Sequence, residues 1–200
     1  ARASLRAALA QKAPLPDRAD WLAHARGLIA EWRAAVQAQR DSNASPIRPE
    51  RICRDIVETL PDTGVVVSDT GHSAQWTGTM LWLREGQRYI RCAGSLGWGL
   101  PGAIGVKCEL PDRPVICFTG DGGLYYHISE LETAARYGIN IVVVINDNSG
   151  FGQTGRGFRG AFGDSIEGDR LWRFGSTDFA AIARAMGCHG ERVDCANDFR

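Results

Sequence analysis

Apolar residues fall into two patterns along this chain. Val65-Val66-Val67, Val115-Ile116-Cys117-Phe118-Thr119 and Ile139 to Ile145 are short, nearly continuous apolar runs, most of them rich in β-branched residues. Runs of this length next to Gly and Asp predict strands buried on both faces, as in a parallel sheet. Elsewhere apolar residues recur every three or four positions. Ile52, Ile56 and Leu60 follow Pro49, which suits the first turn of a helix. Ile128, Leu131 and Ala135 repeat that spacing between the second and third runs, and Gly138 stands where a helix C-cap belongs. Residues 1–38 also read as helical, in two pieces separated by Pro14 and Pro16. Trp21, Leu22, Ala25, Ile29, Trp32 and Val36 make one apolar face on the second piece. The polar stretch DSNASP at 41–46 reads as a linker.

The alternation of strand, helix and strand predicts β-α-β units, whose strands run the same way and whose loops open on one edge of the sheet. The expected fold class is therefore α/β: an open, mainly parallel sheet with helices on both faces, preceded by a helical connector. Residues 1–45 read as the tail of a preceding domain and a linker, and residues 46–200 as the sheet domain, with Arg192-Val193 as a late strand. The expectation is a segment of a longer polypeptide, with its sheet domain cut short at the C-terminus.

Chemistry concentrates at the ends of the second and third runs. Gly120-Asp121-Gly122-Gly123 closes one, and Asn146-Asp147-Asn148-Ser149-Gly150 closes the next. Ligands of open α/β sheets bind at this carboxyl edge. Asp121 offers a carboxylate oxygen, Asn148 an amide oxygen and Gly150 a carbonyl. Mg²⁺ takes such oxygen ligands in near-octahedral geometry and commonly shares them with phosphate oxygens. Gly122 and Gly123 leave room for a diphosphate close to the backbone, and the start of the following helix favours its charge.

This stretch resembles the cofactor-binding motif of thiamine diphosphate enzymes, in which GDG is followed at a set interval by an Asn-Asn pair. Asp121 and Asn148 lie 27 positions apart, which matches the family. VVVSDTGHSAQW (65–76), GSLGWGLPGAIGVKCELPDRPVICFTGDGG (94–123) and STDFAAIARAMGCHGERVD (176–194) resemble, in order, segments of acetolactate synthase and its relatives. The similarity runs from about Ile47 to the C-terminus. It implies Mg²⁺ ligands at Asp121, Asn148 and the Gly150 backbone. It implies diphosphate contacts from Gly71, His72, Ser73, Gly120, Gly122 and Gly123. It implies that Leu96 supports the bent cofactor and that the backbone around Gly94 to Gly97 holds its aminopyrimidine.

The resemblance further implies 2-oxo acid decarboxylation or carboligation, with thiamine diphosphate and Mg²⁺ as cofactors and FAD in some relatives' middle domain. The family's catalytic glutamate sits in an N-terminal domain of a neighbouring subunit. No residue here takes that role, so this segment alone is expected to be inactive and the full enzyme to be a homo-oligomer, a dimer or tetramer. The chain departs from the family at Asp147, where the pair usually reads Asn-Asn. It also carries Gly152-Gln153-Thr154-Gly155-Arg156-Gly157-Phe158 where acetolactate synthases have Gly-Met-Val and Gln-Trp-Gln. That difference points to a relative with another acceptor pocket. Two alternatives stay open: the diphosphate-binding subunit of a split sulfopyruvate- or phosphonopyruvate-type decarboxylase, and a non-catalytic, cofactor-free relative.

Composition narrows the remainder. Lysine and arginine total 23 and aspartate and glutamate also 23, so no net charge favours nucleic acid. The longest apolar runs are far short of a membrane span, and a cytoplasmic location is expected. GSLGWG (94–99) lacks the order of a dinucleotide fingerprint, and no G-K-[ST] is present for a P-loop. The six cysteines form no C-x-x-C pair and read as free thiols in a reducing compartment. Arg156 and Arg159 lie in a Gly-rich stretch that reads either as a solvated loop or as a contact for an anionic substrate. His24, His127 and His189 read as structural.

Overall fold

The computed structural model describes residues 17–199 together with residues 4, 6, 7 and 10. Pro14, Pro16 and the remainder of the first expected helical piece lie outside the described residues. The chain divides into two compact units, residues 1–38 and 39–200. Helix α1 (Ala19–Arg40) carries the described part of the first unit. On its expected apolar face Trp21, Leu22, Ile29 and Trp32 are exposed and Val36 is buried. In the second unit the polar segment 41–46 is tied down: Arg51 donates to the Ser42 carbonyl and to Asn43 Oδ1, and Arg54 pairs with Asp41.

The second unit is a four-stranded parallel sheet in the order β2-β1-β3-β4. Its strands are β1 (Val65–Ser68), β2 (Arg88–Arg91), β3 (Val115–Gly120) and β4 (Val142–Asn146). Alternation along β1 sorts the core into two layers. Val65 and Val67 face a cluster with Leu100, Ala103, Cys117, Leu124, Leu131 and Phe179, whereas Val66 faces Ile52, Ile56, Leu60 and Phe118. The first layer comes from α4 (Gly99–Glu109), α5 (Asp121–His127), α6 (Glu130–Tyr137) and α9 (Phe179–Ala185). The second comes from α2 (Pro49–Thr59), with Pro49 in its first turn. Helix α3 (His72–Met80) follows β1, and α7 (Gly152–Phe162) and α8 (Ile166–Arg170) follow β4. The expected α/β class, with helices on both faces of a parallel sheet, is what the chain forms.

Four local expectations need correction. The third apolar run does not begin as a strand at Ile139. Gly138 turns left-handed (φ 65°), its N–H donates to the Ala135 carbonyl, and the Ile139 N–H donates to the Ala134 carbonyl, so the helix cap uses these residues first. The single helix expected between β3 and β4 is two, α5 and α6, and the break at Ile128-Ser129 shifts the phase. Leu131 and Ala134 are buried, and Ala135 is exposed. Strand β4 is an edge, not a doubly covered strand: Val142 is 56% exposed. Arg192-Val193 forms no strand, because the sheet ends at β4 and at β2 and nothing pairs with that segment. Arg192 instead pairs with exposed Asp194.

Strand order places the site. From β1 the chain turns to β2 on one side, and from β3 it turns to β4 on the other. The loops leaving β1 and β3 therefore diverge and open a crevice at the carboxyl edge, the topological switch point of such sheets.

Candidate functional site

The crevice is a cleft with an open mouth. Three strand ends and one loop build it. The end of β1 contributes Thr70, Gly71 and His72. The end of β3 contributes Gly120 to Gly123. The end of β4 contributes Asn146, Asn148 and Gly150 to Thr154, and the loop before α4 contributes Leu96. Of the eleven residues expected at a cofactor site, only Ser73 and Gly97 do not line this cleft. Both lie directly behind it. Ser73 is buried, and its Oγ would be 3.3 Å from a Cβ at Gly120. Gly97 (φ 89°) packs against α5 so closely that a Cβ would come within 2.5 Å of the Tyr126 Cβ.

Asp121 heads α5 and is 3% exposed. Its Oδ2 accepts the Gly150 N–H at 2.7 Å, which ties the β3 loop to the β4 loop. Burial raises the Asp121 carboxyl to about 6. The N–H groups of Gly122 and Gly150 pull it down, and neighbouring Asp147 adds to the rise. The Gly150 carbonyl accepts from the Gly152 N–H at 2.9 Å and keeps a second lone pair for a cation. Asn148 is exposed at the mouth, with its amide nitrogen against Gly152. Asp147 also caps its own loop, accepting from the Ser149 N–H at 2.8 Å.

The β4 loop is held from behind. Gly150 bridges to Arg173, the Phe151 N–H donates to the Trp172 carbonyl, and the Phe174 N–H donates to the Ser149 carbonyl. Phe151 and Phe174 meet edge to face at 4.7 Å. A Cβ at Gly122 would enter the Phe151 ring at 2.8 Å, and one at Gly150 would lie 2.6 Å from the Trp172 carbonyl. Glycine is thus required at both positions by close packing.

The Gly-rich stretch after Phe151 is helix α7, not a loop. It lays Gly152, Gln153 and Thr154 along the cleft, and the Gln153 Oε1 would be 3.5 Å from a Cβ at Gly71. Arg159 lies over Trp172, with Asp164 and Asp169 nearby, and Arg156 is exposed. His24, His127 and His189 are all exposed, and none lines the cleft.

Sequence reasoning missed Asp69. It is 1% exposed and sits just past β1. Its carboxylate accepts from the Gly97 and Gly99 N–H groups, both at 3.0 Å, from the Thr70 N–H at 2.7 Å and from the Thr119 hydroxyl at 3.3 Å. The only signal was an acidic residue at the end of an apolar strand, which a turn explains equally well.

This donor set suits a hard cation shared with an anion. One carboxylate, one amide and one carbonyl line the same cleft, and glycines line the wall beside them. Among the described residues no three His, Cys, Asp or Glu side chains form a metal cluster.

Residues 69–200 match the family model described as "Thiamine pyrophosphate enzyme, C-terminal TPP binding domain". The chain belongs to the thiamine pyrophosphate enzyme family. Its relatives include the acetolactate synthase large subunit of Parasynechococcus marenigrum (strain WH8102), 31% identical over 186 residues, which are 92% of this chain and 29% of the relative. The acetolactate synthase isozyme 3 large subunit of Escherichia coli (strain K12) is 31% identical over 137 residues, 68% of this chain and 23% of that protein. Among solved structures, the Rhodococcus jostii RHA1 thiamine diphosphate-dependent 4-hydroxybenzoylformate decarboxylase superposes with a TM-score of 0.68 at 29% identity, covering 79% of this chain and 30% of its own. The chain thus spans less than a third of the length of each of these proteins.

Proposed function

We propose that this chain is the part of a thiamine diphosphate- and Mg²⁺-dependent enzyme that binds the diphosphate and its cation. The whole enzyme would cleave or form a carbon–carbon bond beside a carbonyl, acting on a 2-oxo acid. The observation that carries the reading is the meeting of the Gly120–Gly123 and Asn146–Gly150 strand ends in one cleft, joined by the Asp121–Gly150 hydrogen bond. When bound, thiamine diphosphate supplies an electron sink next to the substrate carbonyl.

The residues of this chain bind, orient and shield. Asp121, Asn148 and the Gly150 carbonyl hold the cation. The backbone of Gly71, Gly122 and Gly123 admits the diphosphate, and the start of α3 at His72 lies beside it, where a helix N-terminus favours an anion. Leu96 offers an apolar surface on the cleft wall, where the organic part of the ligand is set down. Phe151 and Phe174 pack edge to face behind the β4 loop and support it.

Decarboxylation is the step this reading shares with the Rhodococcus enzyme, and carboligation the one it shares with the acetolactate synthases. The test is turnover by the intact protein on a panel of aliphatic and aromatic 2-oxo acids. Carbon dioxide release, and aldehyde or hydroxy ketone product, are measured with and without thiamine diphosphate and Mg²⁺. Release that needs both is expected. A cofactor-loaded protein that turns over no 2-oxo acid would contradict the reading.

A further inference from the structure

We infer that Asp69 is a positioning residue that sets the ring end of the cofactor cleft apart from its diphosphate end. The inference rests on the cofactor reading above. Asp69 lies behind the cleft and does not line it. Its Oδ1 accepts from the Thr70 and Gly97 N–H groups, and its Oδ2 accepts from the Gly99 N–H and the Thr119 hydroxyl. Every partner is a donor. A carboxylate accepts on both oxygens, whereas an amide presents a donor on one side. The ionised acid is therefore the group that satisfies this constellation.

The partners belong to three different segments. Gly97 and Gly99 flank the turn that carries Leu96 into α4, Thr119 ends β3, and Thr70 opens the loop to Gly71. Neighbouring glycines show how closely Asp69 is enclosed. A Cβ at Gly99 would lie 2.9 Å from its Oδ2, and one at Gly123 would lie 3.0 Å from it. Asp69 thus spaces the Leu96 turn from the Gly123 backbone. Leu96 is the apolar wall of the cleft, and Asp121, Asn148 and Gly150 are its polar wall. A ligand with an anionic end and an organic end places the organic end by Leu96. Loosening Asp69 should therefore disturb recognition of the organic end and leave the anionic end in place.

Titration of the intact protein with two probes in Mg²⁺ separates the ends: thiamine diphosphate and inorganic pyrophosphate. Asp69→Asn keeps the shape of the side chain but turns an N–H₂ toward the Gly97 or the Gly99 N–H. Its affinity for thiamine diphosphate is expected to fall about ten-fold or more, with pyrophosphate affinity held within about two-fold. Thr119→Val, which removes the hydroxyl shared between Asp69 Oδ2 and the Gly120 carbonyl, should show the same selective loss to a smaller degree, and it decides the matter should Asp69→Asn not fold. Equal weakening of both probes in these variants, or no weakening of either, overturns the positioning role. Wild-type protein that binds neither probe overturns the cofactor reading itself, and the role of Asp69 with it.

Discussion

Asp121 must be ionised to hold a cation, yet its burial works against ionisation. Its folded pKa of about 6 stands above the ordinary 3.8. The folded state thus holds this proton more tightly than the unfolded one. The stabilising share of the group is fully present below about pH 4 and is lost as pH rises through about 6. The cation-free protein should therefore lose stability from pH 4 to pH 7 more steeply than Asp121→Asn, as paired denaturant titrations would show. Equal slopes would mean that Asp121 does not carry the strain. Gly152 packs against Asn148, the second cation ligand proposed above. A Cβ there would lie 2.4 Å from the Asn148 amide nitrogen and 2.9 Å from His72 Nδ1. Gly152→Ala is expected to weaken Mg²⁺-dependent cofactor binding about ten-fold while leaving the melting temperature nearly unchanged, because Asn148 is exposed. A large drop in melting temperature with unchanged affinity would contradict this. Asp121, Asn148 and the glycines were legible in the sequence because each joins a chemical type to a strand end. Asp69 was not, because its role depends on N–H groups 28 and 30 residues away.

Among the elements, α7 shows where local pattern misleads. Four glycines from Gly152 to Gly160 suit a solvated loop, yet the segment is helical. Phe158 and Phe162 stack one turn apart, and Gly155 lies flat on the Trp172 ring. Tertiary packing overrides a glycine cost of roughly 0.5–1 kcal/mol per residue. The glycines are not equivalent. Gly157 and Gly160 have open space where a Cβ would stand, whereas one at Gly155 would meet Trp172 at 2.8 Å. Gly157→Ala and Gly160→Ala should each stabilise the fold by about 0.5–1 kcal/mol, and Gly155→Ala should destabilise it by about 1–3 kcal/mol. Chemical denaturation of the three variants checks the sign at each position. The strands were legible almost to the residue where the run was β1 or β3. The start of β4 was not, because Gly138 and Ile139 serve the preceding helix first, a choice made by hydrogen bonds and not by hydropathy.

Across the whole molecule, one topological fact places the chemistry. The chain leaves β1 and β3 in opposite directions, and the crevice between them gathers loops from three strands. The parallel sheet and its carboxyl edge could be read from runs and loops, but strand order could not, since β1 pairs with both β2 and β3. The two-layered core also fixes the state of the thiols. Burial pushes the Cys53 thiol up to about 12 and raises Cys117 as well, while Cys108 and Cys195 are exposed. A thiol reagent at pH 8 should label Cys108 and Cys195 quickly, and Cys53 and Cys117 only on unfolding. Labelling of all four at one rate in native protein, followed by mass spectrometry, would show that the core is not closed as described. Among the described residues no helix is long and apolar enough to cross a membrane. The most direct test of the cofactor site is calorimetric titration of the intact protein with thiamine diphosphate, with and without Mg²⁺, beside Asp121→Ala. Binding that needs Mg²⁺ and disappears in a folded Asp121→Ala protein is the predicted result. Tight Mg²⁺-dependent binding retained by that variant would contradict the assignment of this cleft.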